Sequence, residues 1–578
     1  MSIQLDDSQR RVLAGKVSDR RVVVAGPGAG KTTTSVALIR QIDDECRHLE
    51  DPQVLFLSFS RAAVKAALDG FGAGGEGYRG TVSAMTLDSL AWQLTGAEVR
   101  SDGPTTSDFD ATVRLAVKQL QDEYSGEFDD VVHLIVDEAQ DLSYERRSLL
   151  CAVIDKLPDD AGVTVFGDPL QAIYDFLDGD VTSVRSAWDS LLEDLRKRSI
   201  TESFELEGEY RARRRGPRKL AAAGPKLRSA TKIRRADLLD DVVSDLTHLD
   251  LSEFVNRVQT WPGQTAILAR TNAEVAFLFD RLCREGLSCT VNESRRNTLI
   301  DPWVAQLWTF NRGAPITRGD FQEFVRIHPS LDDSAFRLLL HATESGSSIR
   351  WRDVTRLLAR GDLEPGPWLY KADSAVVVST VHQAKGLEFE NVAVVNAAAM
   401  LRPSRAEFDP EAELLFVALS RARDRVVILD WNAPFSNTAP RSGLLYEPHP
   451  ARETATAVCI SPAHLRNDLQ LGSETGQQVL ARRRPEQLLE FELLASGGAE
   501  WPSYRCRVEG EAVGMTTREF GLALVDVLRM RGRTTGWPSL GNVPMDGVET
   551  LWAEGGDSLS FWLKPRPFGF STVDWGSE

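Results

Sequence analysis

The chain has 578 residues, of which 42% are apolar and 26% are charged, and this composition excludes disordered, collagen-like and coiled-coil proteins. At about 150 residues per domain, the length corresponds to about four domains. The 84 acidic and 67 basic residues give a net charge of -17, which disfavours nonspecific binding to phosphate backbones. Any nucleic-acid site must therefore be a local basic patch.

Cysteine usage and the N-terminal residues bear on the cell compartment. The six cysteines are too sparse and too irregularly spaced for a disulfide framework or a zinc knuckle. The chain starts without the basic and apolar segments of a signal peptide, and no run reaches the ~18 apolar residues of a membrane helix. We therefore expect a cytoplasmic protein that does not enter a membrane.

Short apolar runs bounded by turn residues predict buried parallel strands in two sets. The first set comprises residues 22–25, 54–57, 131–136 and 163–166, and the second comprises residues 266–269, 376–378, 392–395 and 426–429. Helix-like stretches separate the runs within each set. This alternation predicts an α/β protein with two lobes.

Three further segments differ in composition from the strand sets. Residues 210–236 carry eleven Lys and Arg residues and no acid, which we interpret mainly as a solvated helix face. Residues 291–371 are helical and loop-like, which indicates a small insertion in the second lobe. Beyond about residue 433 the chain is rich in Pro, Gly, Ser and Trp. Residues 551–562 predict a β-hairpin centred on two glycines, so we expect the last ~80 residues to form a small β-containing module.

A phosphate-binding loop follows the first predicted strand. The run Ala25-Gly26-Pro27-Gly28-Ala29-Gly30-Lys31-Thr32-Thr33 lies between this strand and a helical pattern. Its glycines allow backbone N–H groups to surround the β-phosphate of a nucleotide, Lys31 can neutralise the β and γ oxygens, and the Thr32 hydroxyl can bind Mg²⁺. Ala25 occupies the position where the strict motif has glycine. A plain glycine-rich turn is the alternative interpretation.

Two adjacent carboxylates follow the strand predicted at residues 131–136. Asp137 and Glu138 would emerge at the C-terminal edge of the sheet, where ligands of open α/β sheets bind. Asp137 can hold Mg²⁺ through water, and Glu138 can orient and deprotonate an attacking water molecule. A capped turn between strand and helix is the alternative.

Beyond these two motifs, the order of motifs over about 430 residues resembles the superfamily 1 helicases of the UvrD/Rep/PcrA group. Leu5 and Gln9 resemble the Q motif, and residues 54–65 resemble motif Ia. Residues 86–90 resemble motif Ib, with Asp88 in place of the usual histidine. The remaining similarities are residues 167–176 to motif III, 209–211 to motif IV, 380–389 to motif V and 414–422 to motif VI.

The resemblance implies a set of roles for individual residues. Two RecA-like lobes would bind ATP and Mg²⁺, with Glu138, Gln171, Arg211 and Arg421 as catalytic residues; Gln171 would sense the γ-phosphate, and the two arginines would act as arginine fingers. The implied nucleotide contacts are Gln9, Gly26, Gly28, Gly30, Lys31, Thr32, Thr33, Gly386 and Glu388, with Thr32 and Asp137 at the metal. The implied nucleic-acid contacts are Phe59, Ser60, Thr86, Tyr174, Phe176 and His382.

The resemblance also suggests domain boundaries. Lobe 1 would comprise residues 1–200 with a short insertion at about 91–130, and lobe 2 would comprise residues 201–290 and 372–432. Residues 291–371 would form a reduced accessory insertion, and residues 433–578 a C-terminal extension outside the resemblance. Because both insertions are shorter than those of the larger helicases of the family, we expect poor separation of long duplexes.

The function expected on this basis is that of an ATP-dependent translocase or helicase on single-stranded DNA, moving 3' to 5'. RNA as the strand and a protein partner are left open. The alternative is a nucleic-acid-sensing ATPase that acts as a switch in a partner complex, such as a phage-defence or DNA-repair assembly. Multi-turnover strand displacement by the isolated chain would discriminate between the two.

Overall fold

The computed structural model describes residues 4–46, 48–49, 51–59, 63–64, 67–68, 70, 80–96, 106–122, 124, 126–174, 186–293, 299–359, 366–370, 374–402, 411–451, 454–468, 473–484, 487–494, 500–530, 536–555 and 558–575. By its internal contacts the chain divides into two compact units. The first unit comprises Met1–His248 and Ala384–Ile428, and the second comprises Leu249–Gln383 and Leu429–Glu578.

The strands and helices alternate in the N-terminal half of the chain, whereas strands predominate at its C-terminal end. The strands are β1 (Arg20–Ala25), β2 (Gln53–Ser58), β3 (Thr81–Thr86), β4 (Val131–Asp137), β5 (Gly162–Gly167), β6 (Glu202–Leu206), β7 (Thr247–Leu249), β8 (Thr265–Ala269), β9 (Thr290–Val291), β10 (Ile316–Thr317), β11 (Ser348–Ile349), β12 (Val376–Thr380), β13 (Phe389–Val395), β14 (Ala422–Leu429), β15 (Asn437–Thr438), β16 (Leu445–Pro448), β17 (Ala455–Ile460), β18 (Leu488–Leu494), β19 (Ser503–Val508), β20 (Glu511–Met515), β21 (Ser539–Gly555), β22 (Ser558–Pro567) and β23 (Gly569–Asp574). The α-helices are Asp7–Leu13, Lys31–Glu45, Leu87–Thr95, Thr106–Asp122, Tyr144–Ile154, Ala187–Arg196, Arg215–Ser229, Lys232–Ser244, Leu251–Val258, Asn272–Arg284, Pro302–Phe310, Arg318–Ile327, Asp333–Ala342, Trp351–Ala359, Val381–Ala384, Ala397–Leu401, Ala412–Leu419, Glu474–Ala481 and Arg518–Leu528. Within the described part of the chain, every helix is too short or too polar to span a lipid bilayer.

A six-stranded parallel sheet forms the centre of the first unit. Its strand order is β3-β2-β4-β5-β1-β6, and all four strands predicted in this part of the sequence are present. Apolar cores cover the sheet on both faces, which explains why the strands read as continuous apolar runs rather than as alternating patterns. Because β4, β5 and β1 are neighbours, their C-terminal ends bring Asp137, Asp168 and the glycine-rich loop to one edge of the sheet.

The second set of predicted strands is also confirmed. In the second unit β12 pairs in parallel with both β8 and β9, and in the first unit β13 and β14 are neighbours. The expected fold class is therefore confirmed: an α/β protein with two RecA-like lobes, small helical segments and a β-rich C-terminal part.

The C-terminal part of the second unit is built on a nine-stranded sheet. The sheet begins at Asn437 and therefore extends well beyond the last ~80 residues, for which the sequence predicted a small module. The predicted hairpin is present, because β21 and β22 pair antiparallel with Leu551 opposite Trp562.

The helices between residues 302 and 359 share one hydrophobic core with this sheet. Trp308 and Trp351 pack against Phe561, with ring centroids 5.2 and 4.9 Å apart. The Thr550 hydroxyl donates to the Asp301 carbonyl at 2.8 Å and accepts from the backbone N–H of Ala305 at 3.2 Å. The sequence predicted a small insertion and a separate tail, whereas the structure joins the two segments in one packed body.

Candidate nucleotide site

The glycine-rich loop joins β1 to the helix Lys31–Glu45 in the first unit. Gly28 and Gly30 have φ angles of 75° and 87°, a left-handed conformation that glycine adopts without strain. A Cβ atom on Gly30 would lie 2.4 Å from Nε2 of Gln9, and one on Gly28 would lie 2.6 Å from Cβ of Arg211. The loop thus needs glycine both for its backbone turn and for close packing. It ends at a helix N-terminus, which suits a phosphate group.

Lys31, at the start of this helix, faces the two carboxylates after β4. Its Nζ lies 2.6 Å from Oε1 of Glu138 and 4.0 Å from Oδ1 of Asp137. Burial alone would lower the pKa of Lys31, but these carboxylates raise it. For Glu138, burial acts to raise the pKa, yet Lys31 and Lys385 lower it below its usual value. Glu138 is therefore ionised at neutral pH, as a proton acceptor must be.

Backbone geometry sets Glu138 apart from its neighbours. Its φ of 54° is left-handed, which is uncommon for a residue with a side chain and occurs preferentially at functional sites. Gln140 donates from Nε2 to Oε2 of Glu138 at 2.5 Å. The Oε1 atom of Gln140 accepts from the backbone N–H of Asp168 at 3.1 Å. This amide links the end of β4 to the end of β5.

Gln171 and Arg421 meet at this sheet edge although 250 positions separate them in the chain. Gln171 donates from Nε2 to Oδ2 of Asp168 at 3.0 Å, and its Oε1 accepts from Nη2 of Arg421 at 3.1 Å. Arg421 is 2% exposed. Its hydrogen-bond acceptors are the neutral oxygens of Gln171, Ser420, Val417 and Leu387.

The charge of Arg421 thus has no carboxylate in direct contact among the residues that the structure describes. Burial, followed by the nearby Arg211, lowers the pKa of Arg421 to about 9, so the guanidinium is still charged at neutral pH. A buried charge without an ionic partner is costly. The site therefore favours the arrival of an anion at this position.

Arg211 contributes a second cation to the same region. It forms an ion pair with Glu388, which also accepts from Arg423 at 2.9 and 2.8 Å. Burial would raise the pKa of Glu388, but the two arginines lower it. The Nε atom of Arg211 is buried and has no hydrogen-bond partner among the described residues. It is a donor that an added acceptor, such as a phosphate oxygen, would satisfy.

Comparisons with known proteins agree with this geometry. The model of an AAA domain matches residues 9–177, which include the glycine-rich loop, both carboxylates and Gln171. The model of a UvrD-like helicase C-terminal domain matches residues 354–432, which include Glu388 and Arg421. The chain therefore contains an AAA domain and a UvrD-like helicase C-terminal domain.

Three solved structures are also similar to this chain at low identity. A Pif1 helicase from Bacteroides in complex with ADP-AlF3 and single-stranded DNA is 13% identical, with 75% of this chain and 93% of that chain covered and a TM-score of 0.35. The Pif1 helicase from Candida albicans is 13% identical, with 75% and 96% covered and a TM-score of 0.36. A structure of two coordinating Pif1 helicases at forked double-stranded DNA is 14% identical, with 74% and 92% covered and a TM-score of 0.34. The comparison with curated proteins gives no match.

Gln9, which was predicted to contact the nucleotide, lies with Tyr210 beside the glycine-rich loop. Gln9 is buried within a capping box with Asp6, and its Nε2 lies 3.4 Å from the Gly30 carbonyl oxygen. Tyr210 donates its hydroxyl to Asp6 at 2.6 Å and its backbone N–H to the Gly28 carbonyl at 2.9 Å. The exposed ring of Tyr210 beside the glycine-rich loop offers a face for stacking a purine. Sequence analysis gave Tyr210 no role, although it directly precedes Arg211.

Lys385 is a second residue whose position the sequence did not indicate. Its Nζ lies 2.5 Å from Oδ1 of Asp141 and donates to the Gln171 carbonyl. Burial raises the pKa of Asp141 to about 7, and Lys385 opposes this rise. The lysine of motif V thereby connects the segments that follow β4 and β5. Its place between Ala384 and Gly386 in the motif is the one signal that could have identified it.

The residues present fit a nucleotide with Mg²⁺. A cavity of about 720 Å³ opens beside the glycine-rich loop, lined in part by Gly26, Ala29, Arg211 and Ser420, and this volume lies in the range of ligand sites. The described residues contain no cluster of three metal-ligating side chains. A magnesium ion would thus depend on Asp137 and Thr32, together with phosphate and water oxygens, as is usual for Mg²⁺ at phosphates. Thr33 follows Thr32 in the sequence, and Gly386 follows Lys385. The contacts of Thr33 and Gly386 with a nucleotide stay predictions.

Of the residues predicted to contact nucleic acid, Phe59 and Tyr174 lie close to each other. The rings of Phe59 and Tyr174 are 5.5 Å apart, and Nζ of Lys385 lies 5.3 Å from the Tyr174 ring. The Thr86 hydroxyl caps the helix Leu87–Thr95 by accepting from the N–H of Ser89. His382 belongs to the second unit, and Ser60 and Phe176 lie outside the described residues.

Motif Ib departs from the family at Asp88, and the structure shows a local compensation for this change. Oδ1 of Asp88 lies 2.8 Å from Nη2 of Arg146, which also contacts Asp110 at 3.2 Å. Arg146 belongs to the helix Tyr144–Ile154 and is largely buried. Asp88 is therefore half of an ion pair between helices rather than an unpaired replacement for histidine.

Proposed function

We propose that this chain is an ATP-dependent single-stranded DNA translocase or helicase of the UvrD type that moves 3' to 5' and hydrolyses ATP to ADP and phosphate. The observation that carries the proposal is the convergence of Lys31, Glu138, Gln171 and Arg421 at one sheet edge of the first unit. The four residues come from four separate motifs. Each has the charge or hydrogen-bonding capacity that phosphoryl transfer to water requires.

Lys31 is shared between Glu138 and an incoming nucleotide. In the structure its ammonium neutralises Glu138, and this contact lowers the pKa of the carboxyl group. Phosphate oxygens at the glycine-rich loop would compete for the same ammonium. Glu138 would then lose part of its stabilising charge and become a stronger base for the attacking water. Thr32 and Asp137 would hold Mg²⁺, which would supply neutralisation of phosphate charge.

The arginines act on the charge that develops during transfer. Within the described part of the chain, the buried charge of Arg421 contacts no carboxylate and the buried Nε of Arg211 has no acceptor. Donors that are held in place before the reaction stabilise transition-state charge without a cost of reorganisation. Gln171 contacts Arg421 directly, which supports its proposed role as a sensor of the γ-phosphate.

The contacts of Lys385 support coupling between hydrolysis and strand binding. This lysine lies against the Tyr174 ring and is bonded to Asp141 and to the carbonyl of Gln171. Aromatic rings such as Tyr174 and Phe59 can stack bases of any sequence, as a translocase requires. A base stacked on Tyr174 would change the surroundings of Lys385 and, through it, those of the catalytic segments.

The test is an ATPase assay of the full chain with single-stranded DNA, duplex DNA and RNA as separate stimulants. We expect the strongest stimulation by single-stranded DNA and none with the Glu138→Gln variant. Direction follows from displacing streptavidin from biotin at the 3' or the 5' end of the strand, with faster displacement expected at the 5' end. Equal stimulation by all three nucleic acids, or faster displacement from the 3' end, would contradict the proposal.

A further inference from the structure

Arg228 differs from the other basic residues of segment 210–236. It lies in the last turn of the helix Arg215–Ser229, and its side chain is only 13% exposed. Arg213, Arg214 and Arg215 in the same segment are exposed, as a solvated helix face predicts. Arg228 instead donates from Nε to Oδ1 of Asp168 at 3.1 Å and from Nη1 to Oε1 of Glu205 at 2.8 Å.

The guanidinium of Arg228 also lies against the glycine-rich loop. A Cβ atom on Gly26 would be 2.4 Å from Nη2 of Arg228, far inside contact distance. The φ angle of Gly26 is not in the left-handed region, so its backbone conformation does not require glycine. A side chain at position 26 would therefore require the guanidinium of Arg228 to move.

Asp168 is the centre of the contacts that hold Gln171. It is fully buried, and its carboxylate accepts from Nε2 of Gln171 at 3.0 Å and from the N–H of Leu170 at 3.2 Å. Among the residues that the structure describes, Arg228 is the only cation in ion-pair contact with Asp168. A buried carboxylate that loses its cation is destabilised and turns toward other donors or solvent.

We propose that Arg228 is a positioning residue for ATP hydrolysis, which rests on the proposed function above. Arg228 neutralises Asp168, Asp168 fixes the amide of Gln171, and Gln171 contacts Arg421. The guanidinium of Arg228 also lies beside Gly26, at the start of the phosphate-binding loop. Arg228 therefore fixes the position of this loop relative to Gln171, the proposed γ-phosphate sensor. The residue acts through Gln171 and Arg421 rather than on the nucleotide.

The role predicts a specific kinetic result. The variant Arg228→Gln should retain its KM for ATP, because the loop residues that bind the β-phosphate are unchanged. Its kcat should fall by on the order of 10²-fold, as is typical when reacting groups are displaced by about 1 Å. Lys226→Gln, an exposed change on the same helix, is the matched control and should leave both constants unaltered.

A double variant separates positioning from general destabilisation. In an Asp168→Asn background the carboxylate is absent, so Arg228→Gln should cause little further loss of kcat. Arg228→Lys retains a charge but not the forked donor geometry, and should give an intermediate kcat with an unchanged melting temperature. If Arg228→Gln does not fold, this lysine variant serves as the test, and an unaltered kcat would then refute the role.

A binding assay keeps this inference distinct from the proposed function. The affinity for ADP with aluminium fluoride, which imitates the transferring phosphoryl group, should weaken in Arg228→Gln, whereas the affinity for ADP alone should not change. Loss of ATPase in the unmodified chain would refute the proposed function but not this binding difference. Equal effects on both ligands, a kcat like that of Lys226→Gln, or additive losses in the double variant would overturn the positioning role.

Discussion

Nη2 of Arg421 donates to Oε1 of Gln171 at 3.1 Å, which joins motif VI to motif III inside one compact unit. The contact occupies one donor of a buried guanidinium whose remaining acceptors are neutral. The geometry leaves the positive charge of Arg421 available for a transferring phosphoryl group.

Replacing Arg421 with Ala should reduce kcat for ATP by about 10³- to 10⁵-fold, the range attributed to arginine fingers. The affinity for ADP should change much less, because ADP lacks the γ-phosphate. Single-turnover hydrolysis and ADP binding measure the two effects. Comparable losses in both would identify Arg421 as a structural residue, and a melting curve of the variant would show whether the fold is intact.

Replacing Glu138 with Gln should abolish turnover while ATP still binds, because an amide retains the shape of the carboxylate but cannot accept the proton of water. The amide also releases Lys31 from its ion pair, so nucleotide affinity should not fall. Glu193→Gln, on the exposed side of the helix Ala187–Arg196, is the matched control. Turnover within a few-fold of the unmodified chain would show that another group is the base.

Replacing Tyr174 with Ala should weaken stimulation of the ATPase by single-stranded DNA while barely changing the salt dependence of DNA binding. Stacking contributes about 1–3 kcal/mol per base and releases no counterions, whereas phosphate contacts set the salt slope. Tyr144→Ala, which removes an exposed tyrosine at the start of the helix Tyr144–Ile154, is the control. A large change of slope with intact stimulation would exclude a stacking role.

Stability should depend on pH through His133. This residue is fully buried, with Nδ1 2.7 Å from the Val17 carbonyl oxygen and Nε2 2.9 Å from the Thr164 hydroxyl, and burial lowers its pKa to about 3. Between pH 6.5 and about 3 the unfolded chain therefore binds more protons than the folded chain, so stability falls as the pH falls through this window. The loss due to His133 between pH 7 and pH 5 should be about 2 kcal/mol.

Chemical unfolding of the unmodified chain and of His133→Gln at the two pH values isolates this contribution. The variant should be less stable at pH 7, because it disturbs two buried hydrogen bonds. Its stability should nevertheless decline less between pH 7 and pH 5. An equal decline in both proteins would show that His133 does not carry the effect.

The shared core of the second unit predicts that Phe561 is needed for the helices as well as for the sheet. Phe561 is 4% exposed and packs against Trp308 and Trp351, so Phe561→Ala should destabilise the second unit by about 3–5 kcal/mol. Phe435, which is 71% exposed, provides the matched control Phe435→Ala. Protease cleavage between residues 302 and 359 should accelerate in Phe561→Ala alone. If cleavage accelerated only in the C-terminal strands, the common core would be refuted.

Local patterns in the sequence determined the elements whose chemistry is contained in short segments. Buried parallel strands are continuous apolar runs, and β1, β2, β4 and β5 could be predicted because they are covered on both faces. The glycine-rich loop and the Asp137-Glu138 pair were identifiable because phosphate and metal binding demand specific residues at fixed spacing. The hairpin of β21 and β22 followed from its glycine centre and apolar flanks.

Contacts between distant segments were decided only by the tertiary structure. From the composition of its segment, Arg228 was predicted to lie on a solvated helix face. In the structure it contacts Asp168, which lies 60 positions earlier in the chain. The roles of Tyr210 and Lys385 likewise depend on neighbours that no local period encodes. Residues 291–371 were interpreted as a small insertion because they are helical and loop-like without strand runs. Which segment packs against these helices depends on long-range contacts, and here it is the C-terminal sheet.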